Sequence, residues 1–181
     1  MGKKRLKIMV SSTVSGNEYI LDQIAAILRQ KFKYDVIMSK KGSVYVPIDC
    51  TEDKEKACLK AVEDCDMFLG IIFPRYGSGI THKEFLEAKR LNRPRLFMVH
   101  ERIEFLRKLF HPYLFDGQNR RTDFEIKENS VLDSIKVVDM YYDVSNNWIH
   151  SFSNEGELLS FIEQQYKDHQ RRIKELQNQK A

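Results

Sequence analysis

Long apolar runs are missing from this sequence. No stretch approaches the roughly 20 consecutive apolar residues that a bilayer-spanning helix needs. The N-terminus, MGKKRLKIMVSS, is basic and then apolar. Its apolar part is cut short by Ser11, Ser12 and Thr13 before it reaches signal-peptide length. Met1-Gly2 lacks the fuller myristoylation pattern, because Leu6 stands where Ser or Thr is required. A cytoplasmic protein is expected. Cysteine is scarce. Cys50, Cys58 and Cys65 are odd in number, with no close Cys-x-x-Cys pair, which argues against a disulfide framework and a zinc ribbon and for buried thiols. The five histidines are scattered, with no i, i+4 metal pair. A Walker A motif, a GxGxxG fingerprint and a GxSxG elbow are all absent. There is no low-complexity stretch and no internal repeat.

The remaining composition is that of a folded domain. The chain has 181 residues, 42% hydrophobic and 31% charged, enough to bury a core and too apolar for disorder. Net charge is +4, with clusters at Lys3–Lys7, Lys89–Arg95 and Arg120–Arg121. These read as solvated surface that also attracts anionic ligands such as a dinucleotide. No RNP, zinc-finger or helix-turn-helix pattern accompanies them, so a nucleic-acid partner is not expected.

Hydrophobic periodicity lays out the elements. Leu6–Val10 is a strand ending in Ser-Ser-Thr. Ile20, Leu21, Ile24, Ile27, Leu28 and Phe32 repeat at helical spacing, and Ser15 with Glu18 forms a capping box at the helix start. Tyr34–Ser39 is a second strand. Lys40–Thr51, with Gly42 and Pro47, reads as a long loop. A helix over about 52–64 points Ala57, Cys58, Ala61 and Val62 inward. Asp66–Phe73, DMFLGIIF, suits a central strand covered on both faces. Thr81 to about Leu91 is a helix, and Arg95–His100 a fourth strand. This β-α-β-α-β-α-β order predicts a parallel sheet. Beyond it, Ile103–Leu114 and Val131–Val144 are helical, Phe115–Lys127 is a charged loop, Trp148–Phe152 is a short fifth strand, and a long helix begins at Glu155. The expected fold is an α/β three-layer sandwich, flavodoxin-like, with about five parallel strands. It forms one domain over 1–181, with its core at 5–100 and a helical extension over 103–181.

Leu159, Ile162, Tyr166, His169, Ile173 and Leu176 alternate by three and four along the last helix. A helix packed on the domain to about Tyr166 and then solvated explains this. A self-association helix is the sharper alternative.

Ligands of open parallel α/β sheets sit at the carboxyl ends of the strands. Ser11, Ser12 and Thr13 follow strand one, Arg75-Tyr76-Gly77-Ser78-Gly79 follow strand three, and Glu84 lies one turn into the next helix. Gly77 and Gly79 let backbone approach a ligand, and their N–H groups offer a phosphate or ribose seat. Glu84 has two readings. With Thr81 it forms a capping box, Thr-x-x-Glu, or it is a carboxylate acting on a ligand in the turn. Asp66 either turns the chain or binds a ribose hydroxyl. Tyr76 packs, or stacks on a base. Arg75 pairs with a diphosphate, or is simply exposed. His82 and His100 border the same region, and Glu87 reads as surface.

The SST strand end, the CD-x-x-LGII strand, RYGSG and T-x-x-E-F-x-x-A together resemble a TIR-like family of unknown function whose members open with an SST strand end. It is grouped with TIR domains and nucleoside 2-deoxyribosyltransferases. The resemblance covers roughly the first hundred residues and is strongest over RYGSGIT-x-x-E. Val14 stands where the family has an aromatic, and GNEYILDQ replaces an acidic-basic pair in helix one. The resemblance implies N-glycosidic chemistry with Glu84 as the catalytic carboxylate at the anomeric carbon. Ser11, Ser12, Thr13, Arg75, Tyr76, Gly77, Ser78 and Thr81 would line the substrate site. It implies NAD as substrate, no separate cofactor and no metal, and either ADP-ribose or a cyclic ADP-ribose-type signal as product, in antiphage defence. A homo-oligomer and a downstream effector that senses the product are the implied partners. Two alternatives stay open: a non-catalytic interaction module, and a deoxyribosyltransferase.

Overall fold

The computed structural model describes residues 5–38, 53–121, 123–129 and 131–178, with side chains to 172. Five strands form one parallel sheet: β1 (Lys7–Ser12), β2 (Asp35–Met38), β3 (Met67–Ile72), β4 (Arg95–His100) and, after a small hairpin, β7 (Ile149–Phe152). Their order is β2-β1-β3-β4-β7, the flavodoxin-like arrangement. Every residue of β3 is buried, as its unbroken apolar run requires of a strand covered on both faces.

Side chains alternate across the strands and so fill two cores. Ile8, Val10, Leu69, Ile71, Met98 and Phe152 face α1 (Glu18–Gln30) and α6 (Glu155–Asn178). Met9, Phe68, Ile72, Phe97 and Val99 face α2 (Lys54–Asp64), α3 (Ile80–Arg90), α4 (Glu101–Leu114) and α5 (Lys136–Val144). The result is a three-layer α/β sandwich. Cys58 and Cys65 are both buried in it, and burial raises the Cys65 thiol pKa. Among the described residues, no helix is long and apolar enough to cross a membrane.

Several local expectations change. α1 starts at Glu18 behind Asn17, which makes no side-chain cap, so Ser15 and Glu18 form no capping box. Asn17 instead turns back, its Nδ2 donating to the Thr13 carbonyl at 2.9 Å. The segment read as a charged loop holds a hairpin, β5 (Phe115–Asp116) against β6 (Asn119–Arg120), with Gly117 at φ +60° in its turn. The helix expected from Val131 begins only at Lys136. Asp66 precedes β3, at the opposite end of the sheet from the strand carboxyl ends, and its Oδ2 accepts Lys7 N–H at 2.7 Å. It holds the chain rather than a ribose. Cys50 and the loop expected over 40–51, like the side chains of Ile173 and Leu176, lie outside the described residues.

α6 packs past Tyr166. Phe32, Tyr34 and Tyr166 form an aromatic triangle with centroids 5.7–6.3 Å apart. Tyr34 Oη meets His169 Nδ1 at 3.1 Å and Gln170 Nε2 donates to the Phe32 carbonyl at 2.7 Å. Burial holds the Tyr166 phenol far above the ordinary tyrosine range, with Tyr34 adding to the shift. The unfolded chain therefore ionises first as pH rises. The folded chain keeps this contribution below about pH 10 and loses it progressively above. Denaturant melts across that range should show stability falling with pH, and Tyr166→Phe should flatten the fall.

Candidate active site

In the order β2-β1-β3-β4-β7, the chain leaves β1 for β2 on one side while β3 lies on the other. The loops after β1 and β3 therefore diverge at their carboxyl ends and open the crevice where α/β sheets take ligands. Ser11, Ser12 and Thr13 form one wall. Phe73 to Gly79, leading into α3, forms the other.

α3 turns Thr81, Glu84, Phe85 and Ala88 toward the sheet. Phe85 and Ala88 belong to the core, and Glu84 on the same face is 0% exposed. The Ser11 hydroxyl, equally buried, donates to Glu84 Oε2. Strand alternation explains the pairing: Ser11 shares the face of Met9, against α3. Ser12 shares the opposite face with Val10. Ser12 is 3% exposed, and its hydroxyl has no hydrogen-bond partner among the described residues.

The capping-box reading of Thr81 and Glu84 is overturned. α3 starts at Ile80, one residue before Thr81, behind Gly79 at φ +80°, and Gly79 contributes no side-chain cap. The helix is set by a left-handed glycine, and Glu84 points into the protein. Burying a carboxylate costs several kcal/mol unless hydrogen bonds and charge offset it. A helix gains nothing from a glutamate placed there. Such positions concentrate at sites of chemistry.

The two loops are tied together. Thr13 Oγ1 donates to the Arg75 carbonyl at 2.9 Å. Gly77, at φ +66°, packs so closely that an added Cβ would lie 3.0 Å from Thr13 Cγ2. Arg75, Gly77 and Ser78 are exposed, and Thr81 is buried beside Glu84. One donor of the expected phosphate seat, the Gly77 N–H, is already taken. Asp133, in the segment before α5, accepts Tyr76 N–H at 2.9 and 3.0 Å and Gly77 N–H at 2.9 Å. Fifty-seven residues separate Asp133 from Tyr76, and no local pattern marks it as a partner.

Tyr76 does not face an open base site. Its ring lies over Gly79, where an added Cβ would sit 3.1 Å from the ring and the hydroxyl. Its Oη is 3.1 Å from His82 Nδ1, and His82 Nε2 is 2.7 Å from Asp143 Oδ2. These two contacts string Tyr76, His82 and Asp143 into one hydrogen-bonded chain. Burial, then Asp139 and Asp143, raise the Tyr76 pKa and keep it a donor. On a helix, His82 and Glu84 lie about 200° apart. This chain therefore joins α3 to α5 on the side away from Glu84. His100 caps α4 through Nδ1, which accepts Arg102 N–H at 3.2 Å. Burial and then Arg102 push its imidazole pKa down. Glu87 pairs with Arg90 at the surface. Among the described residues, no three His, Cys, Asp or Glu side chains gather to hold a metal ion.

A profile of the family described as Domain of unknown function (DUF4062) matches residues 7–167. No curated protein matches the chain. Among solved structures, it is similar to the Clostridium botulinum CMP N-glycosidase BcmB at 13% identity and a TM-score of 0.48, over 86% of this chain and 97% of that one. It is also similar to a conserved protein from Enterococcus faecalis V583 at 17% identity and a TM-score of 0.47, over 90% of this chain and 99% of that one. At these values neither assigns an activity.

Proposed function

This chain belongs to the family described as Domain of unknown function (DUF4062), a description that names no activity, and we propose that it is a TIR-like, NAD-consuming N-glycosidase. The observation that carries the reading is Glu84. It is a wholly buried carboxylate at the carboxyl end of the central strands, bonded to Ser11 and not used as a cap.

The chemistry follows from charge. Cleaving the bond between nicotinamide and ribose C1′ sends the bonding pair to the pyridinium nitrogen, so nicotinamide leaves neutral and needs no strong general acid. Positive charge develops on the sugar as an oxocarbenium ion. A fixed carboxylate beside C1′ stabilises that charge or captures the sugar covalently. Water then attacks C1′, giving ADP-ribose and a proton. Attack by the substrate's own adenine gives a cyclic product instead. Ser11 is a positioning residue that fixes one carboxylate oxygen. Because Glu84 is sealed, substrate must part the two loops that the Thr13–Arg75 hydrogen bond holds together. A role in antiphage signalling, with assembly into an oligomer and an effector that reads the product, belongs to the same proposal.

The test is a substrate panel. Purified protein at high concentration is incubated with NAD, and separately with a deoxynucleoside plus a second free base. Nicotinamide release from NAD is expected. Base exchange without NAD cleavage would favour the transferase, and inertness toward both together with concentration-dependent assembly would favour the interaction module. Ser11→Ala should lower kcat about tenfold or more with little change in KM, since it loosens the carboxylate and not substrate contacts. Steady-state kinetics on the substrate that responds checks this.

A further inference from the structure

We propose that Asp133 is a specificity-determining residue of this site: its carboxylate keeps an anionic group off the Tyr76–Gly77 turn and selects ligands that bring a neutral hydroxyl there. This deepens the N-glycosidase reading and rests on it. The turn has the form of an anion seat. Two consecutive N–H groups meet on one carboxylate, with Gly77 at φ +66°, and the exposed cation Arg75 precedes them in the chain. Such a nest ordinarily takes a phosphate.

Here the protein supplies the anion itself. Three contacts of 2.9–3.0 Å place the carboxylate on both N–H groups. Asp133 is held there from both sides, because Leu132 and Ile135 are buried in the core beneath α5. A phosphate entering the turn would meet a fixed negative charge and find both donors taken. A ribose hydroxyl meets the reverse, since a carboxylate oxygen with a remaining lone pair accepts an O–H. The end of β1 adds a neutral polar group: the Ser12 hydroxyl, buried and without a partner among the described residues.

The probes are adenosine and AMP, which share base and ribose and differ in the phosphate. Binding is measured by calorimetry on the wild-type chain and on Asp133→Asn and Asp133→Ala, with circular dichroism and melting curves to identify folded variants. Asn keeps the shape and an acceptor oxygen without the charge, so it preserves the fold if Ala does not. Asp133→Asn is expected to shift the adenosine-to-AMP ratio toward AMP by about tenfold or more, as removal of a like charge at contact distance implies. An unchanged ratio, or binding of neither probe, would overturn the proposal. Binding needs no turnover. A chain that shifts its ratio yet cleaves no N-glycoside would sink the enzymatic reading alone. A chain that cleaves NAD with an unshifted ratio would sink this one alone.

Discussion

Glu84→Gln is expected to abolish base release, with a loss of about a thousandfold or more, while the fold survives. The size follows from where the charge acts. In a water-excluded site, a fixed carboxylate facing a developing cation contributes far more than it would in solvent, and removing one such electrostatic group typically costs about a hundred- to a thousandfold. Losing covalent capture of the sugar would add to that. The fold survives because the amide fills the same space, and its oxygen can still accept the Ser11 hydroxyl that now reaches Oε2. With shape and the Ser11 bond kept, the melting temperature should stay close to that of the wild type. Glu84→Asp is the companion variant. It keeps the charge but withdraws it by one methylene, and it should lose most of the rate as well. A Gln variant that melts like the wild type and still releases base would remove Glu84 from the chemistry.

Gly70→Ala is expected to be the most damaging small substitution in the sheet. Gly70 sits mid-strand in β3, and an added Cβ would lie 2.6 and 2.7 Å from Phe97 ring carbons and 2.9 Å from Phe85 Cζ. Both rings are fully buried and pack on each other with centroids 5.1 Å apart. Neither can swing away without opening the core. Overpacking of this kind costs about 3 kcal/mol, a fall in Tm on the order of 10 °C for a chain of this size. Phe85 is the residue after Glu84, so the strain should reach the site as well as the fold. Denaturant melts check the first effect and kcat the second. Pairing the change with Phe97→Leu should recover part of the stability. A loss below about 1 kcal/mol would mean that the rings move more freely than their packing implies.

The strands and helices were legible because burial writes itself as periodicity. DMFLGIIF reads as a two-faced strand and is one, and the spacing of Thr81, Phe85 and Ala88 marks the inner face of α3. Glu84 lies on that same face, and its position was the clue. A capping glutamate looks outward to the helix end, whereas this one falls in line with core residues. The motif Thr-x-x-Glu left two readings open because it has the same letters in both settings. The deciding residue was Gly79, whose left-handed turn starts the helix one position early. The ties that close the site were not legible. Thr13 reaches Arg75 across 62 residues, and Asp133 reaches Tyr76 across 57. Neither leaves a local trace, and Asp133 falls within the stretch from Val131 whose spacing predicts a helix, where an aspartate looks like any surface acid. The tertiary fold alone reveals that the Tyr76 and Gly77 N–H groups of the glycine turn are satisfied from within.

The most direct measurement is incubation of the purified wild-type chain with NAD, at concentrations that favour assembly, with all products resolved by mass beside the Glu84→Gln variant. The account predicts free nicotinamide together with ADP-ribose or its cyclic form, and neither from the variant. NAD left intact by the wild type, or nicotinamide released equally by both proteins, would contradict it.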